Sequence, residues 1–412
     1  MDKMLNTNDK ATIHGALAEA RQLVASLEAF DGTSNSKLSL LKHANKIRAA
    51  LEEPFHMANR LVDSTSIVAA FYILIHIKAL DKLPTQGSVA AADMATACGV
   101  HVSVITRSMR VLVNHGIAHE TGRDEYAHNT LSRAFQPDAL GSIMFVYGDL
   151  MRAWGAVPDH SKSHEPEELH DNRKSPFAFA MGLESESTVF YDVISMDPAR
   201  RMMWNLTIQI TGELVPILGM FPFERLEAQV KREPQRPFVV EIGGGRGQAL
   251  LAIREHCGGS FGGKMLLQDL PIVIESLKPD EIPGIEPMSY NMFTPQPVTN
   301  AHVYLMRNLL VDHPDAVVVD ILKNTVSAMS PDSRLIVNDI LPPDRVTVGG
   351  STMACLLDFV LLTTGGKARS IGEHRHIFDE VGLELVKVYK SEDGQAVMLE
   401  TRLKDTVTQG GL

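Results

Sequence analysis

Phe238-Val-Val-Glu-Ile-Gly-Gly-Gly-Arg-Gly247 decides the fold. Four apolar residues, Phe238, Val239, Val240 and Ile242, frame one acid, Glu241, and a run of glycines leads into a helical stretch from Gln248 to His256. This pattern predicts a buried strand, a tight turn and a helix start. Glycines let backbone approach a ligand closely, and a helix N-terminus favours polar or anionic groups. The spacing is G-x-G-x-G, not the G-x-G-x-x-G of dinucleotide sites. Turns of this kind are common in doubly wound sheets, so the stretch alone predicts an α/β unit without naming its ligand.

Downstream, Lys264 to Asp269 reads as a second strand ending in an acid that can take both hydroxyls of a ribose, and Leu270-Pro271 follows it. Asn291-Met292-Phe293 comes after a third strand, and His302 to Arg307 is a fourth. Further on, Pro314 to Met329, Met353 to Leu362 and Ile371 to Val381 read as helices, with Ser333 to Val337 as strand five. Leu383 to Lys390 and Gln395 to Thr401 form a closing hairpin through an Asp393-Gly394 turn, and the chain then frays to Leu412.

Upstream, Ile13 to Phe30 and Lys37 to Leu51 carry apolar residues at helical spacing, and Leu61 to Ile77 is a strongly apolar helix. Ala90 to Cys98 and Ser103 to Asn114 form a helix–turn–helix, and Ile117 to Glu120 and Glu125 to His128 form a two-strand wing. A winged helix usually binds DNA through its second helix, which here carries only Arg107 and Arg110. Phe145 to Trp154 is a helix, and Asp159 to Lys174, rich in charge, His and Pro, is expected to be a loop. In a loop, His160, His164 and His170 lack the helical i, i+4 geometry of a metal pair, and no carboxylate is fixed beside them, so no metal is expected. Ser175 to Arg201 and Met202 to Leu218 read as connecting helices.

The 412 residues suffice for two domains, and 44% apolar residues suffice for a large core. The net charge of −11 argues against nucleic acid or an anionic membrane as the main partner. Cys98, Cys257 and Cys355 are scattered without metal spacing and fit a reducing compartment. With no basic-then-apolar leader and no apolar run approaching membrane-spanning length, a soluble cytoplasmic protein is expected.

The order of these pieces resembles class I S-adenosylmethionine (SAM) methyltransferases, and more narrowly the small-molecule O-methyltransferases of plants and fungi. That family's pattern runs E-x-G-G-G-x-G, D-L-P, D-M-F, L-(R/K)-x-x-L-H-D-W-P-D and G-G-K-E-R-T, and each piece has a counterpart here in order. The resemblance implies an α/β fold: a Rossmann-like SAM-binding domain with a seven-stranded sheet over residues 175–412, preceded by an all-helical, winged-helix dimerisation domain over residues 1–174. It implies an intertwined homodimer, a small-molecule substrate, and a winged helix that closes the pocket instead of binding DNA. It also implies that Glu241, Gly243, Gly245 and Gly247 adjoin the cofactor. Asp269 would hold the ribose, Asn291 and Met292 the adenine, and Arg307 would lie nearby. Asn291 replaces the usual Asp but still offers a carbonyl to the adenine amino group. The connecting helices would line the substrate pocket, with Phe190, Met196, Trp204 and Thr207 as candidates.

The chemistry departs from the family. Its general base is the His of H-D-W, and here the stretch is Leu309-Leu310-Val311-Asp312-His313-Pro314-Asp315, with Val311 at that position and His313 at the Trp position. Gly365-Gly366-Lys367-Ala368-Arg369 replaces the Glu of G-G-K-E-R with Ala368, and the other supporting acid falls near Asn338-Asp339. A kept SAM site with a lost base resembles the fungal O-methyltransferase-like pericyclases of pyridone alkaloid pathways. Those proteins often keep SAM without consuming it and cyclise a quinone methide by hetero-Diels–Alder or Alder-ene reactions. A shaped pocket and a donor near a developing negative oxygen suffice for such a step. Thr207, His313 and Thr363 are the expected substrate contacts. The alternatives are a working O-methyltransferase of a small aromatic or polyketide hydroxyl with His313 as displaced base, and a non-enzymatic partner or regulator.

Overall fold

The computed structural model describes residues 10–185, 189–212, 215–346, 352–392, 394 and 396–404, so the expected turn residue Asp393 and the tail after Lys404 lie outside the described residues. The chain divides into two compact units, residues 1–145 and 146–412. The 174/175 boundary expected from sequence falls inside the second.

In the first unit, α1 (Lys10–Glu28) packs on α2 (Ser34–Leu51), and α3 (Pro54–His76) follows. Thr33 caps α2, its side chain accepting from the Ser36 N–H, and Pro54 opens α3 at a position where its missing N–H costs nothing. Then come β1 (Val89–Ala90), α4 (Ala91–Cys98), α5 (Val102–Asn114), β2 (Ala118–Gly122), β3 (Glu125–His128) and α6 (Thr130–Ala134), the strands forming a sheet of order β1-β3-β2. Ala70, Phe71, Leu74 and Ile75 bury the C-terminal half of α3. With 23 residues and a stretch of mean hydropathy 1.3, α3 is the one described helix long and apolar enough to cross a membrane, which corrects the expectation that no run approaches that length. Only 22% of that stretch is buried.

α7 (Gly141–Ser163) runs nine residues further than expected, through Pro158, and replaces the first part of the expected loop. His160, buried near its end, explains the persistence: its Nε2 hydrogen-bonds the Lys174 carbonyl at 2.6 Å, a tertiary contact invisible to composition. The expected helix over 175–201 is instead two short helices, α8 (Pro176–Met181) and α9 (Phe190–Ser195). Gly182, at φ 67°, ends α8 in the left-handed conformation. α10 (Pro198–Gly212) starts anew on a proline, and α11 (Glu227–Arg232) completes the run.

β4 (Val239–Ile242), α12 (Gln248–His256), β5 (Met265–Asp269), α13 (Pro271–Ile274), β6 (Glu286–Ser289), β7 (Val303–Arg307), α14 (Asp315–Val326), β8 (Arg334–Ile340), α15 (Thr352–Thr364), α16 (Ile371–Glu380), β9 (Leu383–Lys390) and β10 (Ala396–Leu403) follow. They build a seven-stranded sheet of order β6-β5-β4-β7-β8-β10-β9, in which β10 alone runs against the other strands and so pairs antiparallel with both β8 and β9. Successive strand residues face opposite layers. Val239, Leu267, Leu305, Ile336 and Met398 pack into one core, and Val240, Leu266, Tyr304, Val337 and Leu399 into the other. Both faces are covered, as a parallel sheet requires. The strand order reverses at β4, so the carboxyl ends of β4, β5 and β7 form the crevice where doubly wound sheets bind ligands.

The turn after β4 tolerates no side chain at Gly244, where an added Cβ would lie 2.5 Å from Leu267 Cδ1 and 2.6 Å from Glu241 Cδ. Gly244→Ala is therefore expected to cost about 1–3 kcal/mol by overpacking, read as a lower urea midpoint with an unchanged slope.

Candidate active site

The glycine turn, the tip of β5 and the end of β7 meet at the crevice. Gly243, Gly245 and Gly247 all have positive φ, and the Gly245 N–H donates to Asp269 Oδ2 at 2.8 Å. Asp269 Oδ1 accepts the Leu270 N–H at 2.7 Å, so the carboxylate is fixed at the strand tip with lone pairs to spare. A Cβ added at Gly245 meets no protein atom within 4 Å, whereas one at Gly243 would strike Leu309 Cδ1 at 2.7 Å. Open space thus lies over Gly245 alone. Asn291 Oδ1 accepts the Phe293 N–H at 3.1 Å, shaping the turn after β6, and Met292 packs into the adjoining core. Among the described residues, buried Glu241 Oε2 and buried Arg307 Nε have no partner. Burial pushes the Glu241 carboxyl up to about 8, against the opposing effect of Arg307. Arg307 donates to the carbonyls of Gly212 at 2.5 Å and Val215 at 2.8 Å, fixing the end of α10 beside the strand ends. An acid with a free oxygen, a ribose-sized acid at the next strand tip and a bare glycine backbone between them fit SAM's amino-acid and ribose groups.

The base position lies one short turn beyond β7. Val311 is buried and packs with Leu361 and Ala368, so the two side chains that replace the expected base and acid sit together in one apolar cluster. The backbone around them is tightly held. Lys367 N–H donates to the Val311 carbonyl at 2.8 Å, and a Cβ at Gly366 would approach that same oxygen to 2.5 Å. Arg369, fully buried, donates to the carbonyls of Leu310 at 2.9 Å, Lys367 at 3.0 Å and His313 at 2.5 Å, and to Asp315 Oδ1 at 2.8 Å. Asp339 is buried in β8 with neither carboxylate oxygen partnered among the described residues. Its carboxyl is pushed up to about 8, first by burial and then by the charge of Asp312.

The other expected contacts divide. Thr207 is buried on α10 with its Oγ1 unpartnered, and Trp204, one turn earlier, buries an unpartnered Nε1. Phe190 and Trp204 pack edge-on with ring centroids 5.2 Å apart, whereas Met196 is exposed. Thr363 is buried, but its hydroxyl donates to the Val360 carbonyl at 2.8 Å. His313 packs edge-on against Phe293 at 5.7 Å, on the Asn291 side of the site, and burial holds its ring down to about 4, so it is neutral at neutral pH. One pair escaped the sequence reading. Tyr191 donates its hydroxyl to Asp312 Oδ2 at 2.8 Å, across 121 positions of chain. Burial pushes Asp312 up to about 6 against the pull of this bond, and the Asp312 charge in turn drives the Tyr191 hydroxyl well above its ordinary value. No local pattern separates Tyr191 from the apolar residues beside it.

Asp339 is protonated in the fold at neutral pH and ionised when unfolded. Its stabilising contribution is therefore present below about 4 and is lost as pH rises toward 8. Asp339→Asn should remove that loss, raising stability at pH 8 by on the order of 5 kcal/mol and at pH 5 by roughly 1–2 kcal/mol, measured by urea unfolding at both values.

Residues 177–384 match the family model of the O-methyltransferase domain. The O-methyltransferase hmp5 of Hypomyces subiculosus is 36% identical over 93% of this chain and 96% of its own length. Among solved structures, one described as a pericyclic reaction enzyme superposes with TM-score 0.76 at 24% identity over 95% of this chain and 100% of that one. The LepI complex with SAM does so with TM-score 0.76 at 24% identity over 94% and 99%. The α/β crevice with its glycine turn, the motif order and these matches together place the chain in the O-methyltransferase family, whose cofactor is SAM.

Proposed function

We propose that this chain is a SAM-binding enzyme of secondary metabolism that closes a ring in a small conjugated substrate, by a hetero-Diels–Alder or Alder-ene reaction of a quinone methide, without transferring a methyl group. One observation carries this: the position of the general base is a valine sealed in an apolar cluster with the alanine that replaces its supporting acid. A hydroxyl placed there finds no imidazole to take its proton. A pericyclic step asks only for a selected conformer and a donor at the oxygen that gains electron density. Trp204 Nε1 and Thr207 Oγ1, buried one helical turn apart without protein partners, are suited to donate to a substrate carbonyl. Glu241, Gly243, Gly245, Gly247, Asp269, Asn291, Met292 and Arg307 would hold SAM, which contributes a fixed sulfonium charge when bound. Thr363 and His313 would shape the cavity wall and the cofactor edge.

A second function has its own support. The relative hmp5 is named an O-methyltransferase, and Asp312, with its carboxyl near 6 and held by Tyr191, is a carboxylate adjoining the base position that could accept a proton. Incubation of purified protein with SAM and a pyridone alcohol or quinone-methide precursor separates the two. An isomerised or dehydrated product with SAM unconsumed supports cyclisation, and a product heavier by one methyl with S-adenosylhomocysteine formed overturns it. Val311→His with Ala368→Glu is expected to introduce methyl transfer at least about 10-fold above the parent chain. Thr207→Val is expected to slow cyclisation about 10-fold or more without changing SAM affinity.

The first unit is read as a dimerisation element. Leu17, Val24, Leu38, Leu41, Phe55 and Val62 on α1 to α3 are exposed at 48–72%, a large unpartnered apolar surface. The second helix of the wing region offers little to DNA, since Arg110 pairs with Asp124 at 3.2 Å. Light scattering is expected to give twice the 45.2 kDa chain mass, and Leu38→Glu with Leu41→Glu to give one.

A further inference from the structure

The end of α7 carries a cluster that plays no part in the crevice. His160 and His164 stand one helical turn apart, and the Nδ1 of His164 lies 3.1 Å from the His160 carbonyl. Their rings stack with centroids 4.1 Å apart and planes within 6°, and both meet Phe179 edge-on. Glu184, in the segment after α8, places Oε1 2.9 Å from His164 Nε2. One ligand atom from each of His160, His164 and Glu184 lies within 4.8 Å of the other two. The sequence expectation of no metal rested on a loop here. The helix supplies the i, i+4 pair, and the fold brings the carboxylate from 20 residues away.

The outer hydrogen bonds fix the imidazoles as a metal would need them. His160 Nε2 donates to the Lys174 carbonyl at 2.6 Å, leaving Nδ1 as that ring's lone-pair nitrogen. His164 Nδ1 lies 3.1 Å from the His160 carbonyl and 3.0 Å from Ser163 Oγ, and with its proton turned to that carbonyl Nε2 is the lone pair that faces Glu184. A ring N–H tied to a backbone carbonyl is the usual support of a ligating histidine. Two acceptors 2.9 Å apart need either a proton or a cation between them. We propose that His160, His164 and Glu184 bind a divalent first-row transition ion, with Zn2+ the best match to two imidazoles and one carboxylate, and with the fourth position open to water. Tetrahedral Zn–ligand bonds of about 2.0–2.2 Å set ligand atoms roughly 3.3–3.6 Å apart, so His164 Nε2 and Glu184 Oε1 must part a little and any wider-spaced atoms close up, through side-chain movement of His164 and Glu184, neither of which is fully buried. The ion would clip the end of α7 to the segment between α8 and α9, upstream of α10, which carries Trp204 and Thr207.

The full-length protein, freed of metal by a chelator, is titrated with Zn2+ alone and separately with Co2+. The expected result is roughly one Zn2+ per chain, a rise in Tm on loading, and visible absorption bands of four- or five-coordinate Co2+. His164→Ala and Glu184→Gln are each expected to weaken Zn2+ binding at least about 10-fold and to abolish the Co2+ bands, whereas His170→Ala, in the same segment, leaves both intact. Stoichiometric binding that survives both substitutions overturns the proposal, because the ion then sits elsewhere. Absence of binding with the parent chain folded overturns it too, and assigns the 2.9 Å contact to an imidazolium–carboxylate pair.

Discussion

The guanidinium of Arg369 is the constraint on which the rest of the site depends. It is wholly buried and spends its donors on Asp315 and on three backbone carbonyls, two of them in the turn that carries Val311. A buried cation is tolerated only when fully hydrogen-bonded, so these bonds lock the turn after β7 to the loop before α16. Gly366 and Lys367 complete the lock against the Val311 carbonyl. The turn is thus held rigidly, and the two side chains it brings together, Val311 and Ala368, meet in apolar contact.

Asp339 is buried in β8 with neither oxygen partnered among the described residues, and burial and then the charge of Asp312 push its carboxyl up to about 8. A carboxyl kept neutral by its surroundings gains an O–H donor while its carbonyl oxygen still accepts. Trp204 Nε1 and Thr207 Oγ1 add two more buried donors. Glu241, also near 8, plays a different part: it lies against Arg307 beneath the glycine turn, where a ligand's amino group would complete its shell.

The second unit therefore divides its labour between rigid and variable parts. The sheet and its two core layers fix the crevice through β4, β5 and β7. The short helices α8 to α10, broken by Gly182 and restarted at Pro198, supply the aromatic wall of Phe177, Phe190 and Trp204, whose rings meet edge-on at 5.2–5.5 Å. Tyr191 joins the two parts through its hydrogen bond to Asp312, and Arg307 through its bonds to the Gly212 and Val215 carbonyls.

The sequence by itself determined the sheet domain, with the expected cofactor-side residues falling on β4 and the glycine turn after it and at or just beyond the ends of β5, β6 and β7. Strand alternation, glycine turns and acids at strand tips are local signals whose geometry follows from a few adjacent residues. It also placed Val311 and Ala368 where the resembled motifs carry a base and an acid, because motif register is read from adjacent residues. Only the tertiary structure decided that these two side chains pack together, that Asp339 is the acid left orphaned, that Thr363 spends its hydroxyl on its own helix, and that His313 turns to Phe293. It alone joined Tyr191 to Asp312 and carried α7 through Pro158 to set His160 over His164. Each of these depends on contacts between segments tens to hundreds of residues apart, or on burial that overrides local composition, and neither is encoded in any single window of chain.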